Sequence, residues 1–290
     1  MDLATFLVQC LNAVQYGLLL FLVASGLTLI FGIMGVINLA HGSFYMAGAY
    51  LAFGIAPLFG DNFLTMLVVG VLLSAAFGYL LEWAFFSFLY EREHLQQVLM
   101  TYALILVFEE LRSMLVGNDV HGVKAPGWLA GTVPLGSLMT YPVYRLFASA
   151  ACIVVGIGLY AVVNKTRLGM MIRAGASNRE MVRALGIPIT RLYRIVFAGG
   201  VALAALAGMI AAPMSSVYPG MGAGVLIVSF VVVVIGGIGS ITGALVASLL
   251  VGFVDTFGKV FFAEYSGIGV YLLMAVILVW RPEGLMKKGF

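Results

Sequence analysis

The stretch LTMLVVGVLLSAAFGYLL, residues Leu64–Leu81, has no charged side chain and is long enough for one helix to cross a lipid bilayer. A second long run, Val143–Val163, contains Arg145 as its only charged residue. A membrane β-barrel would instead show alternating segments of about 10 residues. Helices satisfy their own backbone hydrogen bonds in hydrocarbon, so these runs predict an all-α integral membrane protein.

The composition supports the same class. Of 290 residues, 63% are hydrophobic and 9% are charged, whereas a soluble domain has about 45–50% apolar and about 25% charged residues. We expect one transmembrane domain, residues 1–290, with about eight to nine helices. The predicted spans are Leu3–Phe31, Ile37–Phe59, Phe63–Leu89, Val98–Val116, Val143–Val163, Ile195–Ser216, a broken segment Ala223–Val254, and Gly267–Trp280.

Two glycine-rich interruptions lie between apolar runs, GIMGVINLAHG at residues 32–42 and GGIGSITG at residues 236–243. Paired interruptions near the two ends of a chain are typical of transporters that contain an internal repeat with discontinuous helices. The sequence therefore predicts discontinuous or re-entrant glycine-rich segments and an internal repeat.

The interruptions supply candidate residues for a translocation path. Asn38 and His41 are polar groups inside the membrane, where such groups are costly. They either line or brace the path, or they bind backbone groups freed at the break. Glycines have no side chain to offer a ligand, so their contribution would be conformational. The candidate path residues are Asn38, His41, Gly42, Gly236, Gly237, Gly239 and Ser240.

Basic residues predict the orientation. Seven lie from Lys165 to Arg194, against one acid, Glu180, so this loop is expected in the cytoplasm. The carboxyl-terminal Arg281, Lys287 and Lys288 are expected there too. Counting the spans back from this loop places the amino terminus outside. If Ile37–Phe59 were re-entrant, the amino terminus would instead lie in the cytoplasm. No basic residue precedes Arg92, so we expect the first apolar segment to be retained as a span.

A short helix is predicted within the cytoplasmic loop, residues 164–194. Ser177 and Glu180 form a capping-box pattern, in which each side chain binds a free amide at the helix start. Gly186 is typical of a helix stop, with Pro188 shortly beyond it.

The predicted helix has one apolar face. Met181 and Leu185 lie four apart and share that face, and Arg183 lies on a neighbouring one. A helix of about two turns is marginal alone in water. It either lies on the bilayer surface near anionic lipid heads or docks into a groove of a cytoplasmic partner.

The other polar residues in the predicted spans are expected to have mainly structural roles. Glu109 and Arg112 are expected to pair, as are Asp255 and Lys259. The sequence does not decide whether Glu82 is neutral or paired with another helix, and it assigns no role to Glu110. Cys10 and Cys152 lie in apolar runs and are expected to act as small hydrophobic residues.

Three stretches in order resemble the branched-chain amino acid ABC transporter permease family, LivH type: Gly26–Gly42, Arg173–Ile187 and Ile235–Ala244. The resemblance implies a permease subunit of an importer in the bacterial cytoplasmic (inner) membrane. It also implies a paralogous permease subunit, two ATP-binding cassette subunits and an extracytoplasmic solute-binding protein as partners. Residues Ser177, Glu180, Met181, Arg183, Leu185 and Gly186 would then couple the chain to the ATPases.

The chain is not expected to be an enzyme or to hold a cofactor or metal. It has no phosphate loop, since Gly258-Lys259 is followed by Val260, so ATP would be bound by the partner subunits. No nucleic-acid partner is expected, and membrane lipid surrounds the chain.

Two other function classes compete with the importer. An ion-coupled secondary transporter would need an acid at the midplane, for which only Glu82 is a candidate. A membrane enzyme would need a cluster of reactive groups, and His41, His94 and His121 fall in separate segments. The solute stays open among branched-chain amino acids, urea, short amides and aromatic acids.

Overall fold

The computed structural model describes residues 2–60, 62–90, 92–134 and 140–286. Its helices are α1 Leu3–Met34, α2 His41–Phe59, α3 Phe63–Ala84, α4 His94–Val116, α5 Val143–Lys165, α6 Arg167–Ser177, α7 Arg179–Ala184, α8 Ile189–Ser215, α9 Met221–Gly236, α10 Ile241–Phe261 and α11 Ser266–Trp280. Single 3₁₀ turns cover Phe86–Phe88, Gly127–Leu129 and Ala263–Tyr265, and the strands β1 Thr132–Pro134 and β2 Thr140–Pro142 pair antiparallel.

Six of the described helices, α1, α2, α3, α5, α8 and α10, are long and apolar enough to cross a membrane. The shorter α9 and α11 are also apolar, and α4 carries Glu109, Glu110 and Arg112. The all-α membrane class predicted from the sequence is confirmed. The number of crossings, the re-entrant segments and the internal repeat stay predictions.

Helix boundaries differ from the sequence expectation mainly at the breaks. α1 continues to Met34, because Gly35 is the first residue to adopt a left-handed φ, 67°. α2 begins at His41, four residues later than expected. α8 begins at Ile189, directly after Pro188, whose fixed φ suits a helix start.

The core of the bundle lies around α1 and α8. Residues Leu18–Ile30 of α1 are buried throughout, and α8 packs against α1, α2 and α3. Glycines allow these close approaches. A Cβ on Gly48 of α2 would lie 2.1 Å from the Ala205 carbonyl oxygen, and one on Gly17 of α1 would lie 2.8 Å from that of Ser248.

The two ends of the bundle are distinct. Arg179 at the start of α7 contacts the end of α1 at Met34, so we call the end that carries residues 165–194 the basic end. α8 leads away from it for 27 residues, about 40 Å. Just beyond α8, Val217 forms a β-bridge with His121, which marks the opposite end. Lys287 and Lys288, used to predict the orientation, lie outside the described residues.

Candidate functional site

The first glycine-rich interruption folds back along α1. The His41 Nε2–H donates to the carbonyl oxygen of Val23 at 3.0 Å, and Val23 lies about three turns before the end of α1 at Met34. The six residues between α1 and α2 therefore run back into the bundle. As a result, α2 begins well inside the protein rather than at the basic end.

Asn38 and His41 are both completely buried at this break. The Asn38 Oδ1 accepts a hydrogen bond from the Ala40 amide at 3.1 Å, so Asn38 satisfies a backbone group freed by the interruption. The Asn38 Nδ2 and the His41 Nδ1 have no hydrogen-bond partner among the described residues. Both side chains thus bind backbone groups at or near the break, while a role in lining or bracing the path stays a prediction.

The amino-terminal ends of α2 and α9 meet beside His41. A Cβ on Gly42 would lie 2.2 Å from the carbonyl oxygen of Gly222, and one on Gly222 would lie 2.6 Å from that of Gly42. Only two glycines permit backbones this close. Each helix start carries a partial positive charge from its free amides, so two such ends converge inside the bundle.

The second interruption lies elsewhere. Gly237 and Gly239 have φ values of 96° and 85°, and Ser240 Oγ accepts the Gly243 amide at 3.0 Å as the cap of α10. α10 runs antiparallel to α1, because Gly17 contacts Ser248 while Gly252 contacts Ala13. The turn therefore faces the basic end, as the Met34 end of α1 does.

The chain after α11 packs on this turn. The Leu285 amide donates to the Ile235 carbonyl at 2.8 Å, and a Cβ on Gly237 would lie 2.2 Å from the Met286 carbonyl oxygen. From Gly222 to Gly236, α9 rises about 21 Å. The structure therefore brings Asn38, His41 and Gly42 together, but it holds Gly236, Gly237, Gly239 and Ser240 apart from them.

The short helix of the basic loop is present as α7. Its amino-terminal cap is Asn178, whose Oδ1 accepts the Met181 amide at 3.0 Å. The capping box predicted with Ser177 is therefore wrong, because Ser177 is the last residue of α6. Serine and asparagine are both common capping residues. Asn178 takes this position because α6 continues through Ser177.

The predicted stop of α7 at Gly186 is confirmed. Gly186 has a φ of 80°, its amide donates to Arg183, and the next amide, of Ile187, reaches back to Val182. These two bonds form the Schellman motif, which closes the carbonyl end of a helix. α7 is thus held at both ends.

The faces of α7 differ sharply in exposure. Val182 is buried, whereas Met181 is 59% and Leu185 is 72% exposed. Glu180 and Arg183 are also exposed. The Arg179 Nη2 donates to the Met34 carbonyl oxygen at 3.4 Å, so α7 touches the end of α1 directly before the first interruption.

Glu82, left open by the sequence, forms a buried ion pair near the basic end. Its Oε2 lies 3.1 Å from Arg194 Nε of α8, and its Oε1 accepts the Tyr90 hydroxyl at 2.6 Å. Burial, with the Glu82 carboxylate beside it, raises the pKa of Tyr90. Tyr90 therefore stays protonated and able to donate.

The other predicted ion pairs are confirmed. Glu109 lies 3.2 Å from Arg112, and Asp255 lies 2.6 Å from Lys259. Arg112 also donates to the Gly117 carbonyl at 2.6 Å, which fixes the chain where α4 ends. The roles of Arg194, Asn178 and Gly222 had not been predicted from the sequence. Only Asn178 carries a local signal, because asparagine is a common helix-capping residue.

The chain matches the family model for the permease component of branched-chain amino acid transport systems over residues 9–279. It is 29% identical to the high-affinity branched-chain amino acid transport system permease protein BraD of Pseudomonas aeruginosa, covering 98% of this chain and 96% of that protein. It is 27% identical to LivH of Salmonella typhimurium, with the same coverage.

A second permease protein of Salmonella typhimurium also matches this chain. LivM of Salmonella typhimurium is 25% identical over 90% of this chain and 66% of that protein. No solved structure matches the chain. The family match over nearly the whole chain, together with its apolar helices, makes it a multi-pass protein of the cytoplasmic membrane, and the chain belongs to the family of permease components of branched-chain amino acid transport systems.

Proposed function

We propose that this chain forms the translocation path of an ATP-driven importer for branched-chain amino acids or similar small solutes, such as urea, amides or aromatic acids. Residues 164–194 couple the path to cytoplasmic ATPase subunits. ATP is bound by those subunits, so the chain itself has neither a cofactor nor a catalytic site. The names of the relatives favour branched-chain amino acids within this set.

The observation that carries the proposal is the exposed apolar pair on α7. Met181 and Leu185 point away from the helices of the chain, while Val182 packs inward. A short helix capped at both ends presents such a pair in a fixed geometry, which suits insertion into a groove of another protein. This favours docking on a partner over lying on lipid.

The position of α7 also suits coupling. Arg179 donates a hydrogen bond to the carbonyl oxygen of Met34, the last residue of α1. The next residue, Gly35, has a left-handed φ. Beyond it come Asn38, His41 and Gly42, which hold the starts of α2 and α9. A rigid-body displacement of α7 by a partner would therefore act on the hinge that positions these helices.

The comparisons support a second permease as partner. One organism, Salmonella typhimurium, has two distinct permease proteins that both match this chain. We infer an assembly with a paralogous permease subunit, two ATP-binding cassette subunits and an extracytoplasmic solute-binding protein. Membrane lipid surrounds it, and nucleic acid has no part in it.

Ion-coupled secondary transport is less well supported. It requires an acid poised within the path, and Glu82 is the only charged residue among the fully buried ones that the structure describes. That carboxylate lies in the last turn of α3 and is paired with Arg194. A membrane enzyme is also less well supported, because it would need a cluster of reactive groups, and His41, His94 and His121 lie in α2, in α4 and in the loop after α4.

The decisive experiment purifies the chain from its native membrane in mild detergent and probes for bound ATPase subunits. Wild type is compared with the double variant Met181→Asp, Leu185→Asp, which places two charges on the exposed face of α7. We expect wild type to bring down the ATPases and the double variant to lose them, because charges cannot enter an apolar groove.

Val120→Asp provides a control, since Val120 is similarly exposed, at 66%, but lies beyond α4 and outside residues 164–194. It should retain the ATPases. If wild type purifies alone and still moves solute into vesicles without ATP, the chain is a secondary transporter and the coupling role is refuted.

A further inference from the structure

A cavity of about 230 Å³ opens between α1, α2, α5, α8 and α9. Along α1 its wall extends from Gln15 to Val23, a rise of about 12 Å. Val23 is the residue whose carbonyl binds His41. The cavity therefore ends directly against the break where α2 begins, and it lies on the side toward the opposite end of the bundle.

Most polar groups of this cavity lie in its outer part, although Tyr45 of α2 and Met214 of α8 also line the cavity. Gln15 and Tyr16 of α1, Arg145 in the first turn of α5 and Ser215 at the end of α8 line its outer part. The inner wall carries aliphatic side chains, Leu19, Leu20 and Val23, with Val225 of α9 across from them. A solute with one polar end and one aliphatic end would match this division.

Arg145 is the only charged residue among the described residues that line the cavity. It is held in place by Asn12, whose Oδ1 accepts from Arg145 Nη1 and also from the Tyr141 hydroxyl at 3.1 Å. No carboxylate of the described residues forms an ion pair with it. A guanidinium carries five N–H donors in a planar fork, which matches a carboxylate.

We propose that this cavity binds an aliphatic α-amino acid, with its carboxylate on Arg145 and its side chain against Leu19 and Val23. The proposal rests on the proposed importer function and adds the site at which the solute first meets the membrane domain. Gln15 offers an amide oxygen to the ammonium group. The volume is below that of sites for drug-sized ligands, which suits a solute this small.

The test measures protection of a cysteine placed in the cavity wall. Cys10 and Cys152 are replaced by Ser and Ala, Val225→Cys is introduced, and the full transporter is placed in lipid nanodiscs. Leucine is expected to slow modification of the new thiol by a small methanethiosulfonate reagent. Leucinamide has the same side chain but no carboxylate, and it is expected not to slow the modification. The compound 4-methylpentanoate, which is leucine without its ammonium group, should protect more weakly than leucine.

Arg145→Gln is expected to weaken protection by leucine about tenfold or more, the effect of losing one charge-assisted hydrogen bond. Arg145→Lys keeps the charge and should protect at an intermediate level, which keeps the test decisive if the glutamine variant does not fold. Ala223→Cys, on the exposed face of α9, is the matched control whose labelling should not respond to leucine.

Equal protection by leucine and leucinamide, or unchanged protection in Arg145→Gln, would overturn the site. ATP-dependent uptake, measured on the same preparation with the binding protein added, separates the two proposals. Uptake without protection refutes the cavity site and leaves the importer function standing. Protection without any ATP-dependent uptake supports the site and refutes the importer.

Discussion

The charged side chain of Glu82 is completely buried, and it lies in α3, one of the most apolar helices of the chain. Its carboxylate is stabilised by two partners from different segments, Arg194 of α8 and Tyr90 after α3. Removing one member of such a pair leaves the other without compensation for its lost hydration. The pair also joins α3 to the second turn of α8, at the end of residues 164–194.

Replacing Glu82 with Gln should therefore destabilise the protein. We expect the melting temperature in detergent to fall by roughly 5 °C, since the amide keeps the shape but not the charge that Arg194 needs. Glu110→Gln is the control, because Glu110 lies exposed on α4, and it should change the melting temperature little. Equal melting of both variants would show that the ion pair contributes nothing.

Contacts between helices depend here on glycines at defined positions. The starts of α2 and α9 touch through Gly42 and Gly222, and no larger residue fits without moving one helix. The bounds of α7 are set by capping residues instead. Asn178 caps its start, and Gly186 ends it.

A single methyl group at Gly42 tests the helix contact. Gly42→Ala would force α2 and α9 apart, because its Cβ would lie 2.2 Å from a backbone oxygen. We expect a loss of stability of about 1–3 kcal/mol, the usual cost of overpacking, together with reduced uptake.

Gly224→Ala, in α9, meets nothing within 4 Å and is the control. Alanine has the higher helix propensity, so this variant should be at least as stable as wild type. Normal stability and uptake in Gly42→Ala would mean that the two helix starts are not in contact in the membrane.

The whole bundle has two chemically different ends. Basic residues collect around α6 and α7, while the His121–Val217 bridge and the stacking of Phe53 on His121 at 4.3 Å lie at the opposite end. The positive-inside rule predicts that the basic end lies in the cytoplasm. In that orientation the cavity beside Arg145 would open toward the outside, where the proposed binding protein would deliver solute.

This orientation can be measured in intact cells with a membrane-impermeant thiol reagent. In the background without Cys10 and Cys152, Val120→Cys should be labelled, because Val120 is 66% exposed beyond α4. Pro282→Cys, at an exposed position of the chain that packs on the turn at the basic end, should be labelled only after the membrane is opened. The reverse pattern would place α7 outside and contradict coupling to cytoplasmic ATPases.

The class of protein and much of its local structure could be predicted from the sequence alone. Long uncharged runs require lipid wherever they fold, so the helical membrane class follows from composition alone. Pairs three or four residues apart, Glu109 with Arg112 and Asp255 with Lys259, follow from helix geometry. The stop at Gly186 follows from the freedom of glycine to adopt positive φ.

Contacts between groups that lie far apart in the chain could be found only from the folded structure. Arg194 lies 112 positions from Glu82, and Arg145 lies 133 positions from Asn12, so no periodicity within a helix could pair them. The two glycine-rich interruptions have similar places between apolar runs of the sequence, yet α9 separates them along its whole length. Hydrophobicity specifies that a segment is buried in the membrane, whereas side-chain packing between helices decides which neighbours it has.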